Sequence, residues 1–257
     1  AVNAGRTVNA TGGYAIYGVA KTSAITATIN GTVTATGNAV TLDSRFGPDG
    51  GSTTVNGSGR IASTGAAGVW LLNDIGTTTL DGIDGGISGV NYGVLINTNG
   101  TYSGAAGSDV NIGLVTRLGA VTSAGHGIYV DQAANGAGDG DIAMHVGTVT
   151  AGSGFGIRAL GWTGDTSISS TGAVTSTGST GIYATTTTGN IDITGEGTGT
   201  VVGNGDDGIV ADARFGPDGG NVAIHDFVRV AGADVGVWAL ADTGTVTIDN
   251  IGAIAGG

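Results

Sequence analysis

A short pattern returns nine times along this chain and leaves few folds open to it. A Gly or small residue, then Ile or Val, one unconstrained residue and a second apolar or small residue recur with anchors at Ile16, Val40, Val69, Val94, Ile128, Ile157, Ile182, Ile209 and Val237. Successive anchors lie roughly 28 residues apart on average, a period that marks solenoids and other repeat arrays. Between anchors there are usually two more alternating runs, as in Gly156-Ile157-Arg158-Ala159-Leu160, then Thr166-Ser167-Ile168-Ser169, then Ala173-Val174-Thr175-Ser176. Each run is too short to stand as an independent sheet. Three runs per repeat predict an all-β, right-handed, single-stranded parallel β-helix of about nine three-stranded rungs, one domain over residues 1–257. Alternation sends Ile157, Ala159, Ile168 and Val174 inward to stack on their equivalents. Every strand N–H and C=O then pairs with the next rung about 4.8 Å away, giving a rod on the order of 40 Å long. Gly, Asn and Asp between the runs permit the tight corners.

Composition agrees. Val and Ile number 46 against 9 Leu, the β-branched preference of strands. The 54 Gly have no strict three-residue period, which excludes collagen. Charged residues make up 11%, too few for disorder driven by charge. A net charge of −12, with only Lys21 and seven scattered Arg, argues against nucleic acid, because phosphate binding needs clustered cations. No run approaches the apolar length of a membrane helix, so no membrane insertion by this segment is expected. The absence of Cys removes disulfides, thiol catalysis and Cys-based zinc sites.

A longer period lies over the short one. The run from Asp43 to Gly51, with Arg45-Phe46-Gly47-Pro48-Asp49, returns from Asp212 to Gly220 as Arg214-Phe215-Gly216-Pro217-Asp218. Asp131 to Gly140 holds the same place midway, and Gly68-Val69-Trp70, Gly156-Ile157-Arg158 and Gly236-Val237-Trp238 also correspond. The duplicated unit is therefore three rungs, about 82 residues. Three loops are expected to project from one corner, and the two Arg-Phe-Gly-Pro-Asp-Gly-Gly loops to share one compact turn, with Pro fixing φ. Arg45, Phe46, Asp49, Arg214, Phe215 and Asp218 are the candidate projecting residues.

Segments such as Thr32-Val33-Thr34-Ala35-Thr36-Gly37, Gly172 through Ala184 and Thr245-Val246-Thr247-Ile248-Asp249 resemble the passenger regions of Gram-negative autotransporter adhesins. The resemblance implies a segment of a longer repeat protein, extracellular on the bacterial cell surface, with adhesion or self-association as its role and no enzymatic activity. The absence of Cys fits passengers that cross the outer membrane unfolded, whereas a leader and a C-terminal barrel are not part of this sequence. The partners expected are another copy of the chain, another surface protein or glycans. The first run, Thr7 to Ala10, and the last, Ala253 to Ala255, hold the same place in the unit. Uncapped ends would stack head to tail, so a filament or surface-layer subunit is the alternative reading.

Chemistry-bearing residues are few. Carbohydrate-active β-helices cluster carboxylates with basic groups on one face. Asp206-Asp207 instead sits in the corner Gly203-Asn204-Gly205-Asp206-Asp207-Gly208, where turn chemistry accounts for it. His126, His145 and His225 are read as outward and solvated, because a zinc site needs three or four converging ligands. Asp49, Asp139, Asp141 and Asp218 lie in Gly-rich loops, but no tandem calcium-binding nonapeptide is present. No cofactor is expected beyond weak Ca²⁺ binding to the acidic surface. The strongest signal is the residue after each anchor: Tyr17, Thr41, Trp70, Leu95, Tyr129, Arg158, Tyr183, Val210 and Trp238. Five of these nine are aromatic in a chain with 5% aromatics. Exposed β-surface alone favours Tyr and Trp; a continuous apolar row also marks an interaction face, and Tyr, Trp and Arg anchor interfaces.

Overall fold

The computed structural model of the chain describes residues 1–45, 51–98, 108–132, 140–214 and 219–257. It is an all-β parallel solenoid, with no helix among the described residues. Three parallel sheets of ten, nine and nine strands are built by taking every third strand of the chain. The nine strands of a column are linked by about eight turns, three strands to the turn. In one turn, Ile157–Leu160 lies in the second sheet, Thr166–Ser170 in the third and Ala173–Ser176 in the first. All nine anchors are in register in the second sheet, from Ile16↔Val40 to Ile209↔Val237.

The core is a set of stacked columns. Ile128, Ile157, Ile182 and Ile209 form one, Val121, Val149, Val174 and Val201 face them from the first sheet, and Ile112, Met144, Ile168 and Ile193 close the triangle from the third. Nearly all are fully buried, and each such side chain contributes about 1.5–3 kcal/mol over leaving it in water. Because every level touches only its neighbours, that stabilisation is local.

Corners follow from the residue types between runs. On entry to the third sheet, Asp141 N–H donates to Asp109 (3.1 Å), Asp165 N–H to Asp141 (2.8 Å), Asn190 N–H to Asp165 (2.7 Å) and Asn221 N–H to Asn190 (2.9 Å). These side chains supply acceptors the turning backbone lacks. Asp226 and Asn250 adopt left-handed φ of 64° and 48°, as their short polar side chains tolerate. The corner from the first to the second sheet is tighter. Gly68, Gly93, Gly127, Gly156, Gly181, Gly208 and Gly236 stack there, and a Cβ on each of the first six would lie 2.4–2.8 Å from the carbonyl of the next. At these levels any side chain would have to displace that carbonyl, whereas Ala15 and Ala39 hold the same place at the first two levels.

Asp43 and Asp212 each fork to the Arg two residues on, with Nε–Oδ1 of 3.0 Å and Nη2–Oδ2 of 2.9 Å in both. The two long loops thus leave the rod from the same clamp, six levels apart. Phe46, Asp49, Phe215 and Asp218, and the shared turn expected of them, lie outside the described residues, as does Asp139.

Candidate functional site: an aromatic stripe and its groove

The parallel register places Tyr17, Thr41, Trp70, Leu95, Tyr129, Arg158, Tyr183, Val210 and Trp238 in one row along the outer face of the second sheet. The row is not uniformly exposed. Tyr17 and Trp238 are open to solvent at 55% and 49%, whereas Trp70, Leu95, Tyr129, Arg158 and Tyr183 are half-buried against one another. The small members, Thr41 at 1% and Val210 at 9%, are shielded by their taller neighbours.

A second column flanks the row, three residues before each of its members: Tyr14, Asn38, Ala67, Tyr92, His126, Phe155, Thr180, Asp207 and Val235. Tyr14 stacks on Tyr17 at 5.0 Å between ring centroids, and Tyr92, His126 and Phe155 stack in sequence at 5.2 and 5.6 Å. His126 is therefore not the solvated histidine its sequence position suggested. Its ring lies between two aromatics and its Nδ1 accepts the Phe155 N–H at 3.1 Å. Burial, followed by the nearby Arg158 charge, lowers its pKa.

Arg158 is the centre of this cluster. Its guanidinium carbon lies 4.9 Å from the Tyr129 ring centroid, 5.2 Å from Phe155 and 5.6 Å from Tyr183, within cation–π range of all three. It also donates to the Tyr129 hydroxyl. Burial raises the Tyr129 phenol pKa, with Arg158 acting against it.

Beyond Tyr183 the row opens into a groove of about 340 Å³. Tyr183 and Trp238 lie at its two ends, Val210 between them, with Asp206, Asp207 and Thr180 on one flank and Asp212, Arg214 and Leu240 on the other. Asp212 and Arg214 neutralise each other in their fork. Asp206 accepts the Thr180 hydroxyl at 3.0 Å, and Asp207 accepts the Val235 N–H at 3.0 Å, each bond joining the corner to a neighbouring level. Burial raises the Asp207 pKa, and the adjacent Asp206 charge raises it further.

The other two histidines lie on the third sheet, away from the stripe, and neither is simply solvated. His145 Nε2 is 3.4 Å from Glu196. His225 Nδ1 is 2.8 Å from Asp226 and Nε2 3.1 Å from Asp192. Among the described residues no group of three or more His, Cys, Asp or Glu comes together in a way that holds a metal ion. Asp141 serves its corner as an acceptor. No helix among the described residues is long and apolar enough to cross a membrane.

Reasoning from the sequence missed the flanking column and the groove. Tyr14, Tyr92, His126 and Phe155 do recur three residues before a stripe member, and that spacing was the available signal. The groove depends on side chains meeting across three levels and two corners. This fold and surface define the chain as a β-solenoid with an aromatic outer row. Comparison with family models, with curated proteins and with solved structures gives no match.

Proposed function

We propose that this solenoid is a non-enzymatic segment of a bacterial surface adhesin of the autotransporter-passenger kind, working outside the cell by holding a partner surface against its aromatic stripe. The observation that carries this reading is the in-register row from Tyr17 to Trp238, flanked by a second stacked column. An ordinary strand face needs polar residues toward water; here nine of the eighteen positions in two neighbouring columns are rings, and a tenth is the Arg that rings hold. Tyr, Trp and Arg supply large contact area at low ordering cost. Stacked levels present the row as one long edge, which suits a second solenoid laid alongside or a partner displayed on another cell.

The test is aggregation of beads coated with the chain, alongside retention on glycan and protein arrays. The triple variant Trp70→Ala, Tyr129→Ala, Trp238→Ala, with its circular dichroism unchanged, is expected to lose association. Association equal to that of the parent chain would reduce the stripe to β-sheet surface.

A further inference from the structure

Within the stripe read above as a contact face, we propose that the groove between Tyr183 and Trp238 binds the guanidinium of an arginine side chain presented by a basic partner protein. Tyr129, Arg158 and Tyr183 occupy consecutive levels of the row, and the Arg158 guanidinium lies between the two tyrosine rings, 4.9 Å from one centroid and 5.6 Å from the other. Tyr183, Val210 and Trp238 repeat that arrangement two levels on. The outer pair is again two rungs apart, roughly 9–10 Å along the rod, the spacing a planar cation fills. Here the middle residue is a valine whose side chain ends close to the sheet, so the place that Arg158 fills below is an open groove.

The electrostatics of the groove select the occupant. Arg214 is spoken for by Asp212, which leaves the Asp206 and Asp207 carboxylates at the groove without a basic partner among the described residues. Aromatic faces combined with uncompensated carboxylates favour a cation over a neutral ring. A sugar would leave that charge unanswered. The chain's own net charge of −12 works against a second copy as the source and for a basic partner. The N-terminal unit supplies a built-in comparison. Tyr17, Thr41 and Trp70 repeat the spacing and Asp43–Arg45 repeats the fork, but Gly37 and Asn38 stand where Asp206 and Asp207 do. One site per chain is therefore expected, at the C-terminal unit.

The experiment follows the indole N–H resonance of Trp238 during titration with an acetylated, amidated peptide containing one arginine, and with its citrulline counterpart, which has the same shape and no charge. The arginine peptide is expected to shift Trp238 saturably with one site per chain, and the citrulline peptide to bind roughly tenfold more weakly or worse. Asp206→Asn should weaken the arginine peptide several-fold. Val210→Arg should fill the groove with an internal guanidinium, as Arg158 does below, and abolish peptide binding while preserving the fold. Equal binding of the two peptides, unchanged binding by Val210→Arg, or a preference of Trp238 for maltose over the arginine peptide would each overturn the assignment. Loss of bead aggregation in the stripe triple variant, together with no arginine-peptide binding by the parent chain, would overturn this inference alone and leave the contact face standing.

Discussion

Replacing Gly156 by Ala tests the physical argument for the whole stripe, because the glycine column sets how closely the second sheet approaches the first. Gly156 has no left-handed φ, so alanine is conformationally acceptable there and only space opposes it. The new methyl carbon would lie 2.4 Å from the Gly181 carbonyl oxygen and 2.8 Å from Val174 Cγ1. The valine methyl can rotate away. The carbonyl cannot, because it belongs to the ladder, where it accepts the Ile157 N–H at 2.9 Å. Relief requires the two levels to part by several tenths of an ångström, and overpacking of that kind costs about 1–3 kcal/mol. With backbone as the obstacle the upper half of the range applies, which is about a thirty-fold to hundred-and-fifty-fold change in the local opening equilibrium. Hydrogen exchange is the suitable assay, since a solenoid opens level by level and exchange reads the opening at the affected level directly. Amides of Ile128 to Val130, Ile157 to Leu160 and Ile182 to Thr185 should lose protection by that factor. Gly12, with nothing within 4 Å of where a methyl carbon would sit and no left-handed φ, is the control. Gly12→Ala should be neutral or gain up to about 1 kcal/mol from the unfolded chain. A Gly156→Ala chain with parental protection at those amides would refute the close-approach account of the column.

The histidines should act on stability in opposite directions as pH changes. The His225 pKa is raised, chiefly by its bond to Asp226 and further by Asp192; its contribution is full below the unfolded value of about 6.5 and is lost as pH rises through the folded value. The His126 pKa is lowered, so the stability it supports is present above about pH 6.5 and is lost as pH falls toward its folded value. From acid to alkaline conditions the thermal-midpoint deficit of His225→Gln should therefore shrink and that of His126→Gln should grow, and curves parallel to the parent would count against both assignments. Asn73→Ala should cost about 3 kcal/mol by denaturant titration, because its amide is fully buried, accepts from Ser44 (2.8 Å) and shares its two N–H donors among the Gly76 carbonyl (3.0 Å), Ser108 (3.1 Å) and Thr78 (3.2 Å). A cost below about 0.5 kcal/mol, ordinary for a surface site, would show that these bonds are replaced by water.

The coil is legible in the amino-acid sequence itself. Apolar anchors recurring at a near-constant interval, with alternating runs between them, leave only a stacked arrangement in which short strands bury their inner faces, and the register this dictates is the one the structure has from Ile16 to Val237. The row of outward residues was legible too, because strand alternation is local and stacking carries a position from one level to the next unchanged. Gly before seven of the nine anchors was visible as a position, but its reason, a carbonyl of the neighbouring level, was not. What the outer surface offers emerged only once the levels were packed. Whether Tyr183 and Trp238 bound an open groove depends on the size of Val210 between them and on Asp206 and Asp207 arriving from a corner. The ring partners of Arg158 and His126 likewise come largely from other levels, a full turn away along the chain. Alternation tells which way a side chain points; the neighbouring levels set what it meets there, because contact depends on volumes and angles at residues far apart along the chain.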